Sequence, residues 1–201
     1  ALAARNIDKL QDLCRATGAK AYGCDSSDAS SVAKLFDQVD RELGSLDLVV
    51  YNASARERGA VHTLDADKVR QGLLVSCYGG FLVGQQAARR MLPHGRGSIL
   101  FTGATASVKG FAESASFAMG KFGLRGLAQS MARELAPKGI HVAHFVIDGG
   151  IATTYAKTEE DRAQARFLDP DDIAKSYLNV HRQARSAWTW EVELRPWMER
   201  F

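Results

Sequence analysis

Along this chain, apolar residues occur either in short continuous runs or in stripes spaced three and four apart. The switches between the two periods mark out the elements. Residues 1–3 read as the tail of a strand. Asn6 is placed to cap a helix running to about Ala16, with Gly18 as its stop. Residues 20–24 form a short strand that ends at Asp25. Val32, Leu35, Phe36, Val39 and Leu43 then recur at helical spacing up to Gly44. Residues 46–51, Leu-Asp-Leu-Val-Val-Tyr, predict a buried strand. A long helix comes next over 66–92, with Val69, Leu73, Cys77, Phe81 and Ala88 on one stripe, and then a strand over 97–104. The next helix spans about 114–135, and Phe117, Lys121, Leu124, Ala128, Met131 and Leu135 step along its inner face. Residues 141–147 and 188–194 predict the last two strands. Between them Asp169 and Pro170 open a helix, with the proline in its first turn.

Strands alternating with helices predict an α/β fold: a Rossmann-like, doubly wound parallel sheet in three α/β/α layers, a single domain over 1–201. Ligands of such sheets sit beyond the carboxyl ends of the strands. Composition changes this picture little. The chain is 46% hydrophobic and 24% charged, ordinary for a globular domain. Its net charge is +3, and the basic residues are scattered singly apart from Arg89 and Arg90, which argues against nucleic acid as a partner. No apolar run approaches the roughly 18 residues of a membrane span, and no leader pattern opens the sequence. Cys14, Cys24 and Cys77 are an odd number without Cys-x-x-Cys spacing, so neither a metal nor a disulfide is expected, and a reduced cytoplasm fits.

The chemistry centres on Ser116-Phe117-Ala118-Met119-Gly120-Lys121. A separation of four residues places Phe117 and Lys121 one above the other on one helix face, looking into one cleft. This is the Tyr-x-x-x-Lys spacing of the short-chain dehydrogenase/reductase family, with phenylalanine in the tyrosine position. The chain resembles that family nearly end to end. Asp25 matches the strand-end aspartate near the adenine. Tyr51-Asn52-Ala53-Ser54 resembles the Asn-Asn-Ala-Gly block that faces the cofactor. Asp148-Gly149-Gly150-Ile151-Ala152-Thr153 resembles the Pro-Gly-x-x-x-Thr loop near the nicotinamide, with Asp148 replacing proline. Residues 168–174 match the start of the family's Pro-Glu-Asp-Ile-Ala helix.

The departures gather at the chemistry. Counting thirteen residues back from Phe117, to the family's active-site serine, gives Ala104. In Val75-Ser76-Cys77-Tyr78-Gly79-Gly80-Phe81, Ser76 stands where the family has its helix asparagine. Of the four polar groups the resemblance implies, Lys121 alone is unchanged. A phenol serves such a reductase because a nearby ammonium lowers its pKa, and a benzyl ring has no proton to transfer. The resemblance therefore implies a cofactor site at Arg5, Asp25, Asn52, Ala53, Lys121, Gly149, Ile151 and Thr153, and an altered catalytic set at Lys121, Ser76, Phe117 and Ala104. Arg5, next to Ala4 where NAD-preferring members carry an acid, favours the 2′-phosphate of NADP over NAD.

Tyr155 is the best substitute for the missing proton donor, although covering apolar surface is the commoner role for such a tyrosine. Tyr78, two residues from Ser76, points to the far side of its helix. Thr105 is expected to cap its own backbone. Surface or packing roles are expected for His62 and His94. Arg56 and Arg58 lie where a substrate carboxylate could be held or where solvent takes them. The family's opening strand, Gly-x-x-x-Gly-x-Gly turn and helix are not found in this sequence. About 30 residues carrying them are expected before Ala1, their strand lying between 1–3 and 46–51. The expected function is an NADP-binding oxidoreductase with impaired chemistry and an unknown small carbonyl or alcohol substrate. Its rivals are an inactive cofactor-binding sensor and an oligomeric scaffold. A homodimer or homotetramer is expected, with Gly123, Gly126 and Ala132 leaving room for helices of a second copy and the strand from Trp188 to Val192, with Trp197, forming a second interface.

Overall fold

The computed structural model describes residues 1–152 and 167–198. In chain order these residues form β1 (Leu2–Ala4), α1 (Gln11–Thr17), β2 (Ala21–Gly23), α2 (Ala29–Leu43), β3 (Leu48–Tyr51), α3 (Ala66–Leu73), α4 (Gly79–Met91), β4 (Ser98–Thr102), α5 (Ala115–Leu135), β5 (His141–Ile147), α6 (Pro170–His181) and β6 (Glu191–Leu194). All strand pairings are parallel. This is the expected α/β Rossmann-like fold.

The helix starts are set by capping. Asp28 accepts from the Ser31 N–H at the head of α2, Asp65 from Asp67 and Lys68 at α3, and Asp169 from Asp171 at α6, where Pro170 occupies the first turn. Asn6, expected to cap α1, does not: its Oδ1 accepts from the Asp8 N–H ahead of a 3-10 turn whose N-cap is Ile7, and α1 begins only at Gln11. No residue of α1 is buried, so no packed face extends the helix.

The core is built around β5, whose seven residues are all buried. On one face Ile99, Phe101 and Val142 pack beneath α2, α4 and α5, through Val32, Phe36, Ala87, Leu124 and Ala128. On the other, Leu100, Ala143 and Phe145 meet Tyr177 and Val180 of α6, with the Tyr177 ring stacked 3.7 Å from that of Phe145.

The helix predicted over 66–92 is continuous but contains a π turn, Leu74–Tyr78, between α3 and α4. The stripe of Val69, Leu73, Cys77 and Phe81 faces outward and lines a groove of about 640 Å³, while Val75, Leu82, Val83, Ala87 and Met91 face the core. Helix α5 closes on the π turn because residue 120 is glycine: a Cβ there would lie 2.8 Å from that of Ser76. Gly123 is likewise taken up within the chain, since its Cβ would lie 2.7 Å from Cys77 Sγ, whereas Gly126 meets nothing within 4 Å. The room that Gly123 was expected to leave for a second copy is therefore filled by Cys77.

The sheet is divided. β2 and β1 form one ladder and β3-β4-β5-β6 another, and β1 does not pair with β3. The interruption falls at the position expected for the family's first strand. Val50 on β3 is 44% exposed, unusual for a parallel strand.

Candidate active site

Lys121 rises from the inner face of α5 to the carboxyl end of β4. Its Nζ donates to the Thr102 carbonyl at 2.7 Å. The side chain is buried, and burial pushes its pKa down to about 8. Phe117, one turn earlier, is half-buried, with its ring centroid 5.7 Å from Nζ. A second cation approaches the same ring: Arg56 Cζ lies 4.8 Å from the centroid, and Arg56 Nη2 is 3.4 Å from Ser114 Oγ.

Ser76 is buried in the π turn. Its hydroxyl accepts from the Ala55 N–H at 3.1 Å and donates to the Ala55 carbonyl at 3.2 Å. Ala104 presents a methyl group, and its N–H is capped by Ser107 Oγ at 3.1 Å. The expected local cap by Thr105 is not formed. Thr105 instead donates to Asp148 Oδ1 at 2.6 Å, because the carboxyl ends of β4 and β5 are adjacent in the sheet and bring the two side chains together. Asp148 Oδ2 also lies 3.5 Å from Arg195, which pairs with Glu193 on β6. The proline position of the family thus holds a carboxylate tied across three strand ends.

Of the predicted cofactor positions, Arg5, Asp25, Asn52, Ala53 and Gly149 lie past the carboxyl ends of strands in the two ladders. Arg5 is exposed just past β1. Asp25, past β2, accepts from the Ser27 hydroxyl at 2.6 Å and its N–H at 2.9 Å. These bonds hold its carboxyl below the usual range, and the nearby Arg5 charge adds a smaller share. Asn52 is exposed past β3, and half-buried Ala53 packs on the core. Gly149 has φ +151°, and a Cβ there would lie 2.7 Å from Pro196 Cδ, so only glycine fits. Ile151 bridges to Leu168 and packs against the core under α6. Thr153 and Tyr155 lie outside the described residues. His62 and His94 are exposed on 3-10 turns, and Tyr78 points outward, stacked on Phe81.

The family described as enoyl-(acyl carrier protein) reductase matches residues 1–189. The chain belongs to the short-chain dehydrogenase/reductase family. It is 30% identical over 146 residues to the 3-oxoacyl-[acyl-carrier-protein] reductase MabA of Mycobacterium avium, a match covering 73% of this chain and 57% of that protein. The chain therefore spans little more than half the length of that relative. A short-chain dehydrogenase from Rhodopseudomonas palustris is similar in structure, with a TM-score of 0.83 and 36% identity, covering 97% of this chain and 85% of that one. A metagenomic short-chain oxidoreductase in complex with NADP superposes with a TM-score of 0.83 at 26% identity, over 98% of this chain and 85% of the other.

Beside the candidate site, this oxidoreductase family member carries a polar cluster that sequence reasoning missed. Under α5, Arg125 donates to both oxygens of Glu191 at 2.6 and 2.7 Å, and His144 Nδ1 lies 3.1 Å from Glu191 Oε2. His144 is fully buried, and burial pushes its pKa down to about 4 despite the carboxylate. A Cβ at Gly103 would collide with its ring, so the glycine after β4 makes room for this imidazole. The only signal in the sequence was a histidine within an apolar strand. Its partners lie 19 residues before it and 47 after it.

Proposed function

We propose that this chain is an NADP(H)-binding short-chain dehydrogenase/reductase that has kept its cofactor-side lysine and lost its proton-transfer set, acting on a small carbonyl or alcohol substrate. The observation that carries this reading is Lys121. It is an ammonium buried at the carboxyl end of β4 whose bond to the Thr102 carbonyl uses one of its three protons. Burying a cation this way is unfavourable unless an oxygen-rich ligand supplies further acceptors, so the residues present fit a dinucleotide. Lys121 would hold the ribose hydroxyls of the nicotinamide end and Arg5 the 2′-phosphate. Asp25 would lie beside the adenine. Asn52, Ala53, Gly149, Ile151 and Thr153 would line the channel between. When bound, NADP(H) supplies or takes up the hydride.

The chain's own residues determine how well the proton is delivered. Phe117 and Ala104 carry no exchangeable proton, and loss of a general acid typically removes roughly 10²–10⁴ in rate. With a pKa of about 8, Lys121 is the described group of the set that titrates near neutral pH. Phe117→Tyr is expected to raise carbonyl reduction only slightly, because the serine donor at Ala104 would still be absent.

The rival, a cofactor-binding sensor without turnover, draws support from the hydroxyls of Ser76 and Thr105. Both are already engaged by the fold, by Ala55 and Asp148. Calorimetry with NADPH and NADH tests cofactor binding. An NADPH-oxidation screen over ketones, aldehydes and enones separates enzyme from sensor, and absence of NADPH binding would sink both. A homodimer or homotetramer is part of the proposal. The support for this reading is the outward groove lined by Val69, Leu73, Cys77, Tyr78 and Phe81, with Tyr78 and Phe81 exposed. A monomer by light scattering at micromolar concentration would contradict it.

A further inference from the structure

We infer that Lys121 is a covalent carbonyl-binding site, whose amine forms a reversible imine with a small uncharged aldehyde or ketone when no cofactor occupies the cleft. This goes beyond the oxidoreductase reading and shares only the cleft with it.

The ammonium has few partners. Nζ donates to the Thr102 carbonyl at 2.7 Å, its one hydrogen bond among the described residues, and two of its three protons are left without an acceptor there. The carboxylates on and after the neighbouring strands are engaged elsewhere: Glu191 by Arg125 and His144, Asp148 by Thr105 and Arg195. The other titratable and charged groups around Lys121 are basic. His144 on β5 feels the Lys121 charge, Arg125 stands one turn further along α5, and Arg56 lies over the Phe117 ring.

The walls are apolar. The Phe117 ring centroid is 5.7 Å from Nζ, and the strand end beyond Thr102 presents the methyl group of Ala104. Where the family places two hydroxyls, this chain offers the ammonium a ring and a methyl. Burial without a counter-charge therefore acts on the lysine undiminished and brings its pKa down to about 8. A desolvated lysine among apolar groups keeps a useful fraction of neutral amine, and the neutral amine is the nucleophile toward carbonyls. Thr102, Ala104, Thr105 and Phe117 are only partly buried, so a small uncharged molecule reaches Nζ from the cleft without opening the core.

The chemistry needs no oxidant or reductant. The ammonium first releases a proton to solvent. The nitrogen lone pair then forms a bond to the carbonyl carbon, the C=O π pair moves to oxygen, and one N–H proton passes to that oxygen to give a carbinolamine. Return of the first proton to its hydroxyl releases water as the nitrogen lone pair closes the C=N bond. In sum, an ammonium and a carbonyl become an iminium and one water, with charge conserved.

The test is reductive trapping of the intact protein with propanal and sodium cyanoborohydride, read lysine by lysine by peptide mass spectrometry. At pH 7 Lys121 is expected to be alkylated at least about tenfold faster than exposed Lys34. Its rate should level off above a midpoint near pH 8. Phe117→Leu keeps the wall apolar and should leave that midpoint in place. Phe117→Tyr should move it upward, because a phenol oxygen beside Nζ gives the ammonium a second acceptor. Lys121→Arg should remove the fast site while the other lysines keep their rates, a pattern that general unfolding would not produce. Lys121 labelled no faster than Lys34, or a rate still climbing at pH 10, overturns the proposal.

Saturating NADP+ should slow the fast site, since the proposed ribose contact uses the same Nζ. Fast labelling that NADP+ leaves untouched keeps the imine site and removes Lys121 from cofactor binding. Slow labelling together with tight NADPH binding removes the imine site and keeps the oxidoreductase.

Discussion

The two ladders are made of the same kind of parallel strand but are held by different means. In β3–β6, β5 is paired on both edges and covered on both faces, and all seven of its residues are buried. In β1–β2 each strand has three residues, Tyr22 is the one buried side chain, and α1 buries nothing, leaving Ile7 and Leu13 40% and 49% exposed. Burial of apolar surface is the main favourable term in folding, so β3–β6 holds its shape through its interior and β1–β2 through little more than its own backbone bonds. The proposed site straddles both. Its chemical end, Lys121 and Phe117, stands on the covered sheet. The Arg5 and Asp25 end stands on the sparsely packed one.

The sharpest way to break this contrast is to empty the covered sheet. Phe145→Ala removes a fully buried ring stacked on Tyr177, and urea unfolding should show a loss of about 3–5 kcal/mol. Leu13→Ala should cost less than about 1 kcal/mol. Equal losses would mean that the two regions share one core after all.

Acid should attack the same covered region next. His144 is held neutral in the fold, its pKa moving from 6.5 to about 4, so the unfolded chain binds the extra proton between those values. Stability should therefore fall as pH drops from 6.5 towards 4, by about 3 kcal/mol in total. Glu191 pushes the same way lower down. Its carboxyl is held below 4.5, first by the Arg125 bond, and the stability it contributes is lost as pH falls through its folded pKa. His144→Phe would remove the first part of the slope, provided the ring fits. His144→Gln keeps a polar group there and serves as the second variant. An unchanged slope in both would show that another group titrates.

Lys121 gives the same sign in a higher window. Its folded pKa of about 8 lies below the unfolded 10.5, so stability should rise as pH climbs from 8 to 10.5. Lys121→Met should accordingly gain about 1–3 kcal/mol at pH 7 while weakening NADPH binding more than Ser76→Ala does. A variant that is both less stable and unimpaired in binding would remove Lys121 from the site.

The smallest stability effect is expected at Arg5. Arg5→Ala, on an exposed side chain of the sparsely packed region, should shift stability by less than about 0.5 kcal/mol. The ratio of NADPH to NADH affinity should fall by about tenfold. An unchanged ratio would place 2′-phosphate recognition elsewhere.

Much of this molecule was legible in the residues. The seven-residue run from His141 to Ile147 was read as a strand with its observed bounds. The aspartates before α2, α3 and α6 cap them by local bonds that need no distant partner. The step of four from Phe117 to Lys121 put both on one face. Such features are set by neighbours within about one turn, and sequence spacing determines them directly.

Other features depended on residues far apart in the chain. Val69, Leu73, Cys77 and Phe81 share one face, as their spacing predicts, but which face meets the core was decided by packing against α5, with Gly120 at the contact. Thr105 turned from its own backbone to Asp148 because β4 and β5 end side by side. Arg125, His144 and Glu191 met only through the register of β5 with β6 and the crossing of α5 above them. Arg56 reached the Phe117 ring because Ser76, 20 residues further on, holds the peptide before it. Sequence alone determined the elements and the family, since both are written in local spacing. Which polar groups share a desolvated space, and which of them are left to meet a ligand, was decided by tertiary structure, because hydrogen bonds and charges act through distances that only the folded chain defines.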